Sequence, residues 1–268
     1  GRRAMGSDQE ACAHVRLEPL AGCGLGAVAA RAFVAGEVVA AEAPVLYVDT
    51  VAGGSAPLEA QFKALPAAMQ REVLALHDAF SPDGRPTVEG VVATNAHCRN
   101  AACTESVLCV STCSRFNHSC VPNCEQTWNE EAGLVKIFAS TDICAGQPMC
   151  ISYTELRRPA AERARELLER YRFECRCDAC RGAVAESDSR RTRLMDLDCE
   201  IGDVGGREPE LSLRLVAEEL ALLDAEGLHL HDLRRRECAH ASGLAELLGR
   251  REEARDWAAR ALRHAAMA

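Results

Sequence analysis

The sequence predicts an α+β fold in which small β-sheets carry a helical insert, a cysteine-bound segment follows, and a helical region ends the chain. Three observations predict it. Short apolar runs broken by glycine fill residues 14 to 49, and apolar residues then recur at three- and four-residue spacing. Three cysteines crowd into Cys175-x-Cys177-x-x-Cys180 directly after a helical pattern.

Length and composition set the bounds. A chain of 268 residues suits one large domain, or one with a small companion, and 48% hydrophobic with 26% charged residues is ordinary globular usage. No run approaches the roughly 18 apolar residues that cross a bilayer, so no membrane partner is expected. The leading Gly1-Arg2-Arg3-Ala4-Met5-Gly6-Ser7 lacks an apolar signal core and resembles residues left by cloning. A net charge of −9 argues against broad electrostatic adhesion to nucleic acid and suits a basic segment of another protein. Of 15 cysteines, eleven fall between Cys98 and Cys180; in a chain of this size without a secretion signal, reduced thiols are expected.

The elements follow in order. Glycines at Gly22, Gly24, Gly26 and Gly36 punctuate a small β-meander over His14 to Asp49. Phe62, Leu65, Met69, Val73, Leu76 and Phe80 form a helical stripe interrupted at Pro66, and Ser81 to Pro86 end it in a loop. Strands are read at Val107 to Val110, Leu134 to Ala139 and Met149 to Tyr153. Pro159 opens a helix bearing Ala160, Ala164, Leu167 or Leu168, and Tyr171 on one side. Beyond Arg181 the text is polar as far as Glu210. It then gives three helices, marked by Leu213, Val216, Leu220 and Leu223, by Leu244, Leu247 and Leu248, and by Ala254, Trp257, Ala258 and Ala261. The last two resemble a tetratricopeptide-like pair.

The most specific run is Arg115-Phe116-Asn117-His118-Ser119-Cys120-Val121-Pro122-Asn123-Cys124, a polar loop dense in hydrogen-bonding groups. Gly24-Leu25-Gly26-Ala27, Thr94-Asn95-Ala96-His97 and Ile151-Ser152-Tyr153 stand around it in order. The glycine run is no dinucleotide fingerprint, because the third glycine is missing and a strand follows where a helix is required. Three clustered thiols call for a fourth ligand to close a zinc tetrahedron, and both Cys120 and Cys124 are within the signature run.

Asn-His-Ser-Cys-x-Pro-Asn, with the flanking motifs, resembles the SET-domain methyltransferases and most of all the SET-and-MYND (SMYD) family. The MYND finger is missing, since no cysteine lies between Cys23 and Cys98. The resemblance covers most of Val15 to Cys180. It implies S-adenosylmethionine-dependent methylation of a protein lysine, histone or non-histone, with one structural zinc ion. It assigns catalysis to Tyr153 and Tyr171, and cofactor binding to Gly24, Leu25, Asn95, His97, Ser114, Asn117, His118, Tyr153 and Phe173. Zinc falls to Cys120, Cys175, Cys177 and Cys180. The implied division is residues 8–156 for the SET domain, with a helical insert at about 57–90, then 157–182 for the post-SET segment and 183–268 for the helical region. A monomer in the cytoplasm, the nucleus or both is expected. The alternative is a catalytically weak SET scaffold that binds peptides.

Overall fold

The computed structural model describes residues 12–49, 58–100, 103–182 and 184–267. The expected cloning residues lie outside them.

Strands β1 (Val15–Leu20) and β2 (Gly24–Ala29) form an antiparallel hairpin. Its turn uses Gly22 and Gly24, both at positive φ, where a side chain would be strained. The expected meander stops there. β3 (Val38–Glu42) and β4 (Leu46–Asp49) go to different sheets, because their partners come from far along the chain. β3 pairs with β9 (Leu134–Ala139), which also pairs with β8 (Cys124–Asn129). β4 pairs with β6 (Glu105–Leu108), which also pairs with β5 (His97–Cys98). β7 (Asn117–His118) and β10 (Cys150–Ile151) form a two-residue parallel pair. Phe33, Val39, Val107, Phe116, Ile137, Ile143 and Met149 fill the core between these sheets.

The insert comprises α1 (Leu58–Ala64), α2 (Ala67–Leu74) and α3 (Val88–Asn95). The break at Pro66 falls where expected, while α3 is an addition: its Val88, Val91 and Val92 are buried without a clear polar face. Thr87 caps α3, its hydroxyl accepting the Gly90 N–H at 3.0 Å. α4 (Ala160–Tyr171) starts after Pro159 and buries Leu167 rather than Leu168.

Two further corrections concern the region after the cysteine cluster and the thiols themselves. After the single turn α5 (Asp178–Arg181), the stretch read only as polar is α6 (Val184–Val204), a 21-residue helix burying Arg191, Leu194, Leu197 and Ile201. α7 (Pro209–Ala225), α8 (His231–Leu247) and α9 (Arg251–Ala265) follow, with α8 and α9 packed along each other as a hairpin. Their shared core includes Leu213, Val216, Leu220, Leu223 and Leu244, whereas Leu247 is 69% exposed. Cys98 and Cys103, 5 residues apart, are joined in a disulfide, so the expectation of reduced thiols fails at that pair.

Candidate active site and metal centre

One cleft of about 1900 Å³ collects nearly all the residues singled out in the sequence. Gly24, Leu25, Asn95, Ser114, Asn117, His118, Tyr153, Tyr171 and Phe173 line it, with Cys175 and Cys177 at its edge. They arrive from the β1–β2 hairpin, the end of α3, the turn before β7, the residues after β10 and the exit of α4.

Among the residues assigned to catalysis and the cofactor, His97 is the exception. It is buried behind the cleft wall, its Nδ1 bonded to Gln126 Oε1 and its Nε2 3.4 Å from Ser114 Oγ. Burial is the chief cause that pushes its pKa down. Asn95 spends its side-chain amide on the carbonyls of His77 and Val91, each at 2.7 Å, and so fastens α3 to the loop before it. Ser114 donates its hydroxyl proton to the Cys109 carbonyl at 2.7 Å.

The loop that presents Ser114 is held by one carboxylate. Glu42 accepts the backbone N–H groups of Val110, Ser111, Thr112 and Cys113 at 2.7 to 2.9 Å. The Glu42, Cys109 and Cys113 group is compact enough to suggest a second metal site. With four N–H donors already on its oxygens, however, Glu42 serves the loop.

Gly26 explains how hairpin and signature meet. A Cβ there would stand 2.4 Å from Asn117 Nδ2 and 2.5 Å from Leu20 Cδ1. Asn117 Nδ2 instead reaches towards the Leu25 carbonyl, at 3.5 Å.

The aromatic wall is a stack of short contacts. Tyr153 and Tyr171 have ring centroids 4.9 Å apart, and Phe173 meets Tyr153 edge-on at 6.5 Å. Tyr153 Oη donates to the Phe116 carbonyl at 2.6 Å, and desolvation pushes its pKa well above the usual phenol range. Arg172, the cap of α4, adopts the left-handed conformation at φ 59°, and this bend turns both Tyr171 and Phe173 into the cleft. Its guanidinium lies 5.2 Å from the Phe80 ring centroid, joining the insert to the segment after α4.

Against this wall sit four thiols. Cys120, Cys175, Cys177 and Cys180 have all their sulfurs within 4.8 Å of one another, and Cys120 Sγ is 4.0 Å from Cys175 and 3.6 Å from Cys180. Sulfurs bound at about 2.3 Å around a tetrahedral zinc stand about 3.8 Å apart. The donor set fits such an ion. Cys124, the rival fourth donor, is buried in the sheet core. Within the cluster, hydrogen bonds from Cys120 and then Cys175 favour the thiolate of Cys177, while the same sharing pushes Cys120 up.

Two buried arginines hold Cys120, and neither was visible as a functional residue in the sequence. Arg163 of α4 donates Nε–H to Cys120 Sγ at 3.3 Å. Arg191 of α6 donates to the Cys120 carbonyl at 3.2 Å and pairs with Glu226 at 2.7 Å.

The sequence profile of the SET domain matches residues 24–154. Over 119 residues the chain is 33% identical to "Histone-lysine N-methyltransferase set5" of Schizosaccharomyces pombe, covering 42% of this chain and 37% of that protein. Over 75 residues it is 40% identical to human "Protein-lysine N-trimethyltransferase SMYD5", covering 27% of this chain and 17% of that protein. The chain thus spans well under half the length of these relatives. The solved SET domain of LSMT bound to lysine and AdoHcy overlays 91% of this chain and 80% of that one at 14% identity, with a TM-score of 0.38. With its profile match over residues 24–154 and its order of motifs, the chain carries a SET domain and is similar to the SMYD group.

Proposed function

We propose that this chain transfers a methyl group from S-adenosylmethionine to the side-chain amine of a protein lysine, with one structural zinc ion on Cys120, Cys175, Cys177 and Cys180. The observation that carries the reading is the convergence of the Gly24–Leu25 backbone, Asn117, Tyr153, Tyr171 and Phe173 on one cleft, from four separate parts of the chain. The names of the relatives set5 and SMYD5 support it.

Bound S-adenosylmethionine supplies a methyl group on a positively charged sulfur. Asn117 and the backbone at His118 and Gly24 are the groups suited to hold its polar end, and Phe173 offers an apolar face for a base. The protein's remaining task is to admit lysine as a neutral amine and align it. A channel walled by Tyr153 and Tyr171 disfavours the ammonium form by desolvation, so no dedicated general base is needed. Tyr153 commits its proton to the Phe116 carbonyl, which leaves its oxygen lone pairs free to accept from polarised N–H or C–H groups. The Tyr171 hydroxyl lies 3.4 Å from the Tyr153 carbonyl and fixes the second wall.

Transfer of a radiolabelled methyl group from the cofactor to proteins of a cell extract tests the activity. Tyr153→Phe tests the assignment. It removes one hydroxyl at nearly constant volume, so cofactor affinity is expected to stay within a few fold while the single-turnover rate falls by about a hundredfold or more. A Tyr153→Phe protein with the full single-turnover rate removes Tyr153 from the reaction. Wild type that binds peptide without binding S-adenosylmethionine replaces the enzyme with a binding scaffold.

A further inference from the structure

Arg163 is 1% exposed. A guanidinium does not lose its proton inside a protein, so this residue is a cation in the interior. Among the described residues no carboxylate pairs with it. Nε–H goes to Cys120 Sγ, one terminal nitrogen donates to the Arg158 carbonyl, and Nη2 is buried without a hydrogen-bond partner. The nearest groups able to carry negative charge are the sulfurs of Cys120, at 3.3 Å, and Cys180.

The other deeply buried arginines differ in this respect. Arg191 has Glu226 at 2.7 Å, and Arg234 has Asp224 at 2.7 Å. An unanswered buried charge is strongly destabilising. Four protonated thiols would leave Arg163 unanswered, whereas four thiolates around one divalent ion carry a net charge of about −2.

We propose that Arg163 is the counter-ion of the four-thiolate centre, its charge and its N–H···S bond to Cys120 slowing loss of the metal. The inference rests on the zinc reading above. It makes α4 part of the metal site: the helix that ends in Tyr171 supplies at its start the charge that balances the centre. Arg163 is a positioning and charge-balancing residue that touches a ligand, and it takes no part in the transfer reaction.

The test uses the zinc-loaded full chain and follows release of zinc to excess chelator with a metal-sensitive dye. Arg163→Met and Arg163→Gln, which delete the charge, are expected to release zinc about tenfold faster or more. Arg163→Lys, which keeps the charge, is expected within about threefold of wild type. Arg170→Met, an exposed control that loses its Glu166 pair and its contact over the Tyr171 ring but nothing at the thiols, is expected at the wild-type rate. In cobalt-substituted protein the thiolate-to-metal absorption band should move in Arg163→Gln, reporting loss of the bond to Cys120.

If Arg163→Met does not fold, Arg163→Gln, which can still donate to the Arg158 carbonyl, carries the comparison. Wild-type release with an unmoved band in Arg163→Gln overturns the proposal. So does an Arg163→Lys rate as fast as that of Arg163→Gln, because charge would then not be what acts. Wild type that holds no zinc overturns the zinc reading itself, and elemental analysis separates that outcome from the others.

Discussion

The backbone N–H of Tyr153 donates to Nδ1 of His118 at 3.0 Å, while Nε2 of the same ring lies 3.3 Å from Cys120 Sγ. A backbone amide can only donate, so Nδ1 is bare and the ring proton sits on Nε2, facing the sulfur. Desolvation is the main cause that pushes the His118 pKa down to about 4, which keeps the ring neutral. One imidazole therefore connects the thiol cluster to the residue assigned the central role in the cleft.

Replacing His118 splits the two contacts. The Asn side-chain oxygen can stand in for Nδ1, and the Gln amide can stand in for Nε2–H. His118→Asn is expected to keep more of the methyl-transfer rate, and His118→Gln more of the zinc retention. His118→Ala leaves the Tyr153 N–H unpaired, at a cost of about 1–3 kcal/mol. Parallel rates, zinc contents and melting curves check this. Equal losses in the Asn and Gln variants would show that the ring acts only by its bulk.

Gly26→Ala tests the close approach of hairpin and signature. Its Cβ would overlap Asn117 Nδ2 and Leu20 Cδ1, so the expected cost is about 1–3 kcal/mol of stability. Cofactor affinity should weaken about tenfold or more, because Asn117 must turn away. Asn117→Ala should weaken cofactor affinity without the stability cost. Calorimetry with the cofactor and thermal melts distinguish the two variants, and a Gly26→Ala protein of normal affinity would remove the contact from cofactor binding.

Glu219 in α7 gives a pH-dependent expectation. Both its carboxylate oxygens are buried without a hydrogen-bond partner among the described residues; burial first, then repulsion from Glu237, push its pKa up to about 7. Arg157 Nη1, at 3.9 Å, offsets only part of this. An acid whose folded pKa is raised adds stability that is fully present below the unfolded pKa of about 4.3 and is lost as pH rises through 7. Glu219→Gln should therefore raise the melting temperature by about 2–6 °C at pH 8 and by much less at pH 5. The same shift at both pH values would show that the carboxylate charge is not the cause.

The residues that read clearly in the sequence are those whose chemistry depends on spacing. Cys175, Cys177 and Cys180 sit on one short segment, and Asn117 to Asn123 form a fixed string, so their association survives in one dimension. Arg163 and Arg191 did not read clearly, because an arginine in a charged helix looks like a solvated one until its neighbours are known. α6 was not picked out because its buried positions include Arg191 and few large apolar residues, and α3 because its stretch is short, carries Gly90 and relies on β-branched valines, which are poor helix signals. The scattering of β3 and β4 into separate sheets depends on partners about 60 to 100 residues away, which local pattern does not encode. Glu42 was silent for the same reason: its four N–H donors lie 68 to 71 residues downstream.

The place of Cys120 also dictates an order of assembly. Its sulfur meets Cys175 and Cys180 across 55 and 60 residues of chain, and its carbonyl meets Arg191 across 71. Arg191 is in turn held by Glu226, a further 35 residues on. Each closure costs entropy that is recovered only when the distant partner docks. During synthesis the sheets can therefore form while the aromatic wall is still unanchored, and the cleft gains its far side only after the chain has emerged past Glu226. A newly made chain can thus hold folded sheets while Cys120 still waits for Cys175 and Cys180, so the four-thiol cluster is among the last features to close.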